Sequence, residues 1–373
     1  MEPPVIPNIE RLKLVRKPDC PIAYTLGTLY SKPDSKRFIW LIFVNGLGLP
    51  QAWWQPTLQL LQKDINSPSQ DTFRSSDINL YATTFDRYGQ GLSQPTGEGS
   101  KPEPHDLSDS ILDMCDIVEQ IRDKHLNTQT QPQRPYKIIL VGHSIGVPLA
   151  RTFFFFNPHP LGPLPLAGAL FLDSNIANID MVSLLPDPQD PDLLSKLPAD
   201  TTTEDLNSAR EMYKKLFSPS APNSENLNRT NMPLLLPNAN QPLLQTQCFT
   251  KSEIPNPDAS KAGQPPTKTK LTPTPLVLRV VAHDPDTFAE ESLKICTRGL
   301  TEKYIEPAWQ EYNKLLLELD GQPKEQKAEV VVAKGAGHFV QRDNPRCVAD
   351  QIWEIVGKIS EKGTGGGLPS CAW

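Results

Sequence analysis

The sequence predicts an α/β fold in which a mostly parallel, doubly wound sheet carries helices on both faces and an inserted cap. Strand-like apolar runs alternate with helix-length amphipathic stretches over most of the chain, which is the pattern of successive βαβ units. Several of these runs are almost continuously apolar, as expected for strands buried on both faces. One long region rich in Pro, Asn, Ser and Leu interrupts the alternation.

Seven segments have the length and the β-branched or aromatic content of strands. In chain order they are PIAYTLGTLY, RFIWLIFVNG, DINLYATTFD, YKIILVG, LAGALFLD, PLVLRVVAH and KAEVVVAKG. Helix-length stretches such as LSDSILDMCDIVEQIRDKHL and RCVADQIWEIVGKI have apolar residues at spacings of three and four. A chain of 373 residues, 38% of them hydrophobic, is sufficient for one large domain with insertions.

The interruption divides the predicted domain. We expect residues 1–173 and 276–360 to form the sheet core and residues 174–275 to form an inserted cap, since a structureless loop of about 100 residues is implausible in a compact domain. Within it, TTTEDLNSAREMYKKLF begins with Thr and Glu in capping-box order and predicts an amphipathic helix. The stretch PDASKAGQPPTKTK and the glycine-rich tail, residues 361–373, predict disorder or flexibility.

Composition excludes several function classes. A net charge of −6 argues against nucleic-acid binding. Six cysteines without C-x-x-C pairs indicate neither a disulfide framework nor a zinc site, and they favour a reducing compartment. We find no signal-peptide or membrane-span pattern and no terminal Ser-Lys-Leu type address. These observations predict a cytoplasmic protein without metal or organic cofactor; the oligomeric state stays open.

The segment GHSIG, residues 142–146, places Ser144 between a predicted strand and a predicted helix. In such a sharp turn the serine oxygen is exposed at the end of the sheet, and side chains at Gly142 or Gly146 would collide with the neighbouring strand and helix. This context predicts that Ser144 is a nucleophile. The alternative is an ordinary strand-turn-helix crossover with an incidental serine.

Acyl transfer by a serine also requires a base, a carboxylate and an oxyanion hole. Of the six histidines, only His338 lies in a loop that leaves the last predicted strand, so we expect it to be the base. The turn NGLG follows a central strand and can direct the backbone N–H of Leu47 at an oxyanion, together with the N–H of Ile145.

The other histidines have weaker contexts. His283 follows a strand and stands beside a candidate acid, so its role stays open at this point. His143 lies within the serine turn and is expected to point away from the site. The other three have polar or proline-rich neighbours typical of solvated side chains; they are His105, His125 and His159.

Four motifs, in this order, resemble those of the α/β-hydrolase fold family. They are Asn45-Gly46-Leu47-Gly48, DRYGQGLS (residues 86–93), GHSIG (142–146) and GAGHFVQRDNP (335–345). The resemblance covers roughly residues 20–173 and 275–360, with Asn45-Gly46 where the family usually has His-Gly. It implies a serine hydrolase for small-molecule or acyl substrates with ester or thioester bonds. It also implies that Asp86 and Arg87 belong to a structural turn.

The resemblance leaves the acid open. In most of the family the acid follows the seventh strand of the sheet, where VVAHDPDTF offers Asp284 or Asp286. In some branches it follows the sixth strand, where LFLDSNIAN offers Asp173. The chain also resembles, more distantly, a fungal group of peroxisomal acyl-thioester hydrolases and lipase-like proteins in which the acid follows the sixth strand and precedes a long cap. We therefore favour Asp173, with Asp284 as the alternative. This more distant resemblance also implies a peroxisomal location as the alternative to the cytoplasm.

Two other functions must be considered, since one fold serves several. A protein of this fold can be a ligand receptor or a non-hydrolytic cyclase or lyase, against which the complete Ser, His and Asp set argues. The alkyl-enzyme chemistry of epoxide hydrolases and dehalogenases requires an aspartate nucleophile, and position 144 is a serine.

Overall fold

A computed structural model describes residues 8–35, 37–97, 99–126, 136–156, 164–177, 179–232, 276–320 and 328–361. Its strands are β1 (Glu10–Leu14), β2 (Lys17–Tyr30), β3 (Arg37–Val44), β4 (Ile78–Phe85), β5 (His105–Asp106), β6 (Tyr136–His143), β7 (Leu166–Leu172), β8 (Leu227–Asn228), β9 (Val277–Ala282) and β10 (Val331–Val332). Its helices are α1 (Gln55–Asp64), α2 (Asp71–Ser75), α3 (Leu107–Ile121), α4 (Gly146–Phe156), α5 (Leu193–Lys196), α6 (Thr203–Phe217), α7 (Pro285–Ser292), α8 (Arg298–Leu300), α9 (Glu306–Leu317), α10 (Val340–Asp343) and α11 (Pro345–Glu361).

Eight strands form one sheet in the order β1-β2-β4-β3-β6-β7-β9-β10. Strand β2 is antiparallel to both of its neighbours, and the other pairs are parallel. The predicted α/β class with a mostly parallel, doubly wound sheet is confirmed, and each of the seven predicted segments contains a strand. Strand β1 was not predicted because ERLKL is short and half charged.

Both faces of the sheet are buried. On β3, Trp40 packs in the hydrophobic cluster that contains residues of α3 and α4, and the adjacent Ile39 packs in the cluster that contains residues of α1 and α11. Because successive strand residues point to opposite faces, both sets must be apolar when helices cover both faces. This explains why the central strands read as continuous apolar runs.

The described part of the 174–275 segment contains α5, α6 and β8. The predicted helix is present as α6, and its capping box joins Thr202 to Asp205 rather than to a glutamate. Helix α6 buries Leu206, Ala209 and Tyr213, at spacings of three and four. The predicted disorder in PDASKAGQPPTKTK and in the tail lies outside the described residues.

The carboxyl ends of the central parallel strands meet at one edge of the sheet. There the ladder continues beyond the strands, since the Ser144 N–H donates to Leu172 O at 3.1 Å and the Asp173 N–H donates to Val281 O at 2.8 Å. The residues that follow β6 and β7 are thereby fixed side by side. None of the helices in the described ranges is both long enough and apolar enough to span a membrane.

Candidate active site

Ser144 occupies the sharp turn between β6 and α4, with a positive φ of 53°. A Cβ at Gly146 would lie 2.2 Å from the Val44 carbonyl oxygen, and one at Gly142 would lie 2.7 Å from the Gly146 carbonyl oxygen. Both contacts are with backbone, which cannot move aside as a side chain can. The expected steric requirement for both glycines is confirmed, and the half-buried serine is held at the edge of the sheet.

His338 lies in the loop after β10, with its Nε2 3.0 Å from Ser144 Oγ. The loop is tied to its surroundings through the backbone, since the His338 N–H donates to Glu291 Oε2 at 3.0 Å and the Gly337 N–H donates to Asp343 Oδ2 at 3.1 Å. The imidazole is therefore held within hydrogen-bond distance of the serine.

Asp173 follows β7 directly, is fully buried and has a positive φ of 39°. Its Oδ2 lies 2.6 Å from His338 Nδ1. Because a carboxylate can only accept, Nδ1 carries the proton, and Nε2 of a neutral ring is then free to accept from the Ser144 hydroxyl. The structure thus brings Ser144, His338 and Asp173 into one hydrogen-bonded line.

Asp284, the alternative acid, has a different set of partners. It is the N-cap of α7, and its carboxylate accepts from the Asp286 N–H at 3.1 Å and from the Gly335 N–H at 3.1 Å. Asp286 pairs with Arg298 at the surface. Among the described residues, neither carboxylate is hydrogen-bonded to His338; Asp284 caps α7 and also holds the backbone of Gly335.

Of the two predicted oxyanion donors, Ile145 is adjacent to Ser144 in sequence, and Leu47 follows β3, the strand that pairs with β6. Leu47 is in the turn after β3, and Ile145 separates Ser144 from the first residue of α4. Within the described part of the chain, the N–H groups of Leu47 and Ile145 donate to no protein acceptor.

The family comparison covers most of the chain. The model of the alpha/beta hydrolase family matches residues 41–351. The chain belongs to the α/β-hydrolase family. No curated protein matches it.

Solved structures with the same fold are distant in sequence. A peroxisomal α/β-hydrolase from Saccharomyces cerevisiae is 14% identical, with 98% of this chain and 90% of that chain covered and a TM-score of 0.48. A soluble variant of the S. cerevisiae monoglyceride lipase is 10% identical, with coverages of 95% and 96% and a TM-score of 0.48. An epoxide hydrolase from Vigna radiata is 12% identical, with coverages of 94% and 98% and a TM-score of 0.42.

Two of the remaining histidines differ from the sequence-based expectation. His143 does not point away from the site: its Nε2 lies 2.8 Å from the His338 carbonyl oxygen, and the two rings are 5.0 Å apart. Burial lowers the pKa of His143 to about 3, so its ring is neutral and supports the His338 loop as a donor.

His105 is buried rather than solvated, and burial lowers its pKa to about 4. His125 contacts the Tyr24 hydroxyl, and His159 lies outside the described residues.

A second histidine contacts the buried carboxylate. His283 Nδ1 lies 2.7 Å from Asp173 Oδ1, and His283 Nε2 lies 2.6 Å from Glu306 Oε2. Sequence reasoning left the role of His283 open and missed Glu306. The position of His283 directly after a strand was a usable signal, since that strand ends at the same edge as β7, whereas a glutamate within an amphipathic helix carries none.

The turn that carries Leu47 is fixed by a buried ion pair. Arg87 donates to the carbonyl oxygens of Asn45 at 2.5 Å and Gly46 at 3.1 Å, and it pairs with Glu225 at 2.9 Å. Glu225 also accepts from the Gly48 N–H at 2.6 Å. The expectation that Arg87 belongs to the architecture fits these contacts. Glu225 comes from the 174–275 segment, so that segment is bound to the turn beside the serine.

Substitution of Glu225 should destabilise the protein, because Arg87 would remain buried without its ion-pair partner. Removing one partner of a buried pair costs about 3–5 kcal/mol, so Glu225→Gln should lower the free energy of unfolding by about 3 kcal/mol in urea denaturation. The surface variant Asp286→Asn is the control and should leave that free energy nearly unchanged. Equal effects of the two variants would mean that the backbone carbonyls alone satisfy Arg87.

Proposed function

We propose that this α/β-hydrolase is a serine hydrolase that cleaves carboxylic ester or thioester bonds through an acyl-enzyme on Ser144. The observation that carries the proposal is the hydrogen-bonded line from Ser144 Oγ to His338 Nε2, at 3.0 Å, and from His338 Nδ1 to Asp173 Oδ2, at 2.6 Å. A hydroxyl within hydrogen-bond distance of an imidazole whose other nitrogen is held by a carboxylate is the arrangement that activates a serine.

Acylation follows from this geometry. His338 Nε2 removes the Ser144 proton as Oγ attacks the substrate carbonyl, and the N–H groups of Leu47 and Ile145 hold the resulting oxyanion. The imidazolium then donates that proton to the leaving alcohol or thiol. Asp173 stabilises the imidazolium throughout and does not take the proton.

Deacylation repeats the same steps with water. His338 removes a proton from a water molecule that attacks the acyl carbonyl, and it returns a proton to Ser144 Oγ as the carboxylic acid leaves. The same base and the same oxyanion donors serve both halves of the reaction.

A non-hydrolytic role on the same fold is the competing hypothesis. A ligand receptor, cyclase or lyase has no need of an acylated serine, whereas the proposed hydrolase must form one. A fluorophosphonate probe separates the two, because an activated Ser144 reacts covalently and an unactivated serine does not.

We propose in addition that the described part of the 174–275 segment, residues 174–177 and 179–232, belongs to a cap over this edge of the sheet. The rest of the predicted cap, residues 233–275, lies outside the described residues. The described part contacts the core at two places: Glu225 accepts from the Gly48 N–H in the turn after β3, at 2.6 Å, and Asp200 accepts from the Gly299 N–H of α8, at 2.9 Å. Many apolar side chains of the segment are buried in the main hydrophobic cluster, among them Met181, Leu185, Leu193 and Leu206. Their burial attaches the described part of the segment to the core.

Aromatic rings beside the base favour an apolar substrate. The Phe339 ring lies 5.3 Å from the His338 ring, the Trp53 ring lies 5.2 Å from the Phe339 ring, and both are only partly buried. Partly exposed aromatic side chains next to a reacting centre provide a surface on which an acyl chain displaces water.

Replacement of the nucleophile should abolish hydrolysis. Loss of the serine in a comparable triad lowers kcat by about 10⁶, so Ser144→Ala should be inactive on p-nitrophenyl esters and acyl thioesters while its thermal unfolding stays like that of the wild type. His338→Ala should be nearly as severe. Full activity of Ser144→Ala would refute the hydrolase proposal.

The acid can be located by two matched substitutions. Asp173→Asn should lower kcat by about 10⁴, the loss seen when the acid of another triad becomes an amide, because the imidazole then takes the wrong tautomer. Asp284→Asn should affect stability through its helix cap and leave kcat within a few-fold of the wild type. The reverse ranking of kcat would move the acid to Asp284.

The cap proposal predicts a preference for medium or long acyl chains. In a series of p-nitrophenyl esters or acyl thioesters of increasing length, kcat/KM should rise by up to about tenfold for the first added methylenes that contact apolar side chains of the site. A flat profile, or a preference for acetyl, would leave the cap without a role in acyl recognition and indicate that its leucines serve packing alone.

A further inference from the structure

The carboxylate of Asp173 has a second oxygen that the proposed mechanism does not use. While Oδ2 contacts His338, Oδ1 is 2.7 Å from His283 Nδ1 and also accepts from the His283 backbone N–H at 3.3 Å. His283 is buried, with a side chain that is 1% exposed. One fully buried carboxylate is therefore shared between two imidazoles.

His283 is itself held between two carboxylates. Glu306 of α9 meets its Nε2 at 2.6 Å on the side away from Asp173. Neither oxygen partner can donate when ionised, so an imidazolium, with protons on both nitrogens, satisfies both contacts at once. A neutral ring would leave one contact between a lone pair and a carboxylate.

The charges agree with that geometry. Burial alone lowers the pKa of His283, but the charge of Asp173, the hydrogen bond to it and the contacts with Glu306 outweigh burial and raise the pKa to about 10. Burial raises the pKa of Asp173, but the charge of His283 and the hydrogen bonds from both histidines lower it below its usual range. At neutral pH the ionised Asp173 and the doubly protonated His283 therefore form a buried charge pair.

We propose that His283 and Glu306 are positioning residues of the hydrolase: His283, held as a cation by Glu306, orients Asp173 and offsets part of its negative charge. The inference rests on the proposed hydrolytic function. Its consequence is that Asp173 orients the imidazole of His338 without holding the proton on that ring as tightly as an uncompensated carboxylate would.

Other side chains also surround the two histidines. The ring centroids of Phe288 and Trp309 lie 4.0 Å and 5.7 Å from that of His283, and neither ring carries a charge. The backbone of His338 contacts Glu291, whose carboxylate pairs with Arg342 at 2.9 Å. His143, on the carbonyl of His338, is neutral. The imidazolium of His283 is therefore the cation that directly contacts Asp173 in the described part of the chain.

The test uses the full-length protein and three variants. His283→Asn retains an amide N–H toward Asp173 but removes the positive charge and the contact with Glu306. Glu306→Gln retains an acceptor for His283 and removes a negative charge. Glu311→Gln changes the same type of residue at an exposed position of the same helix and serves as the control. The measurements are kcat and KM against pH with a p-nitrophenyl ester, and ¹⁵N NMR of histidine-labelled protein.

His283→Asn and Glu306→Gln should differ in the acidic limb of kcat/KM. His283→Asn should lower kcat about tenfold with little change in KM, the size expected when one hydrogen bond of the transition state is weakened. Its acidic limb of kcat/KM should move up by about one pH unit, because the uncompensated Asp173 retains the proton on the base. Glu306→Gln removes a negative charge, so its acidic limb should not move up. Glu311→Gln should match the wild type.

The NMR measurement needs no substrate. In the wild type, His283 should be doubly protonated at pH 7 and lose a proton near pH 10, and in Glu306→Gln it should lose that proton at lower pH. A neutral His283 at pH 7 would overturn the inference. So would a His283→Asn variant that is less stable but has the kcat and pH profile of the wild type, since a structural role alone would produce that result.

Failure of the inference is distinct from failure of the proposed function. If the wild type shows no Ser144-dependent hydrolysis, the hydrolase proposal fails, and the NMR titration still decides whether His283 is a cation between two carboxylates. If the wild type hydrolyses esters through Ser144 but the His283→Asn profile does not move, only the role of His283 is refuted.

Discussion

The candidate active site depends on the placement of one buried carboxylate. Asp173 follows β7 with a positive φ of 39°, and its backbone N–H completes the ladder to Val281, so its side chain is aimed along the sheet edge rather than into either core. From there one oxygen reaches His338 and the other reaches His283. A carboxylate without these partners would be costly to bury, because an isolated charge loses its hydration. Hydrogen bonds from the two histidines offset the cost of burying the Asp173 carboxylate.

Each neighbouring element then has a defined part in holding this arrangement. The glycines around Ser144 allow the serine turn to pack against the end of β3, and the loop of His338 is fixed through its backbone by α7 and by His143. On the other side, the Arg87–Glu225 pair fixes the turn that carries Leu47 and ties the 174–275 segment to it. The reacting side chains sit on backbone that the fold holds in place, which reduces the reorganisation needed during reaction.

Sequence reasoning reached the parts of the site that backbone pattern determines. A glycine on each side of Ser144 and the position of His338 after the last strand are local signals, and the sheet follows from apolar periodicity. The contacts of Glu225 and Glu306 could not be predicted, since each lies in a segment whose packing depends on the tertiary structure. The choice between Asp173 and Asp284 was open for a similar reason, since both follow strands that end at one edge of the sheet. Only their hydrogen-bond partners distinguish them: Asp173 contacts His338, whereas Asp284 caps a helix and binds the Gly335 N–H.

The central claim is that Asp173, through His338, makes Ser144 a nucleophile that carries the acyl group between two chemical steps. The most direct measurement is acid quenching of the protein during turnover of a slowly deacylating ester, followed by mass spectrometry of the intact chain and its peptides. The account predicts an added acyl mass located on Ser144 in the wild type and none in Asp173→Asn quenched at the same time. Steady hydrolysis with no acyl group on Ser144, or an acyl group on another residue, would contradict it.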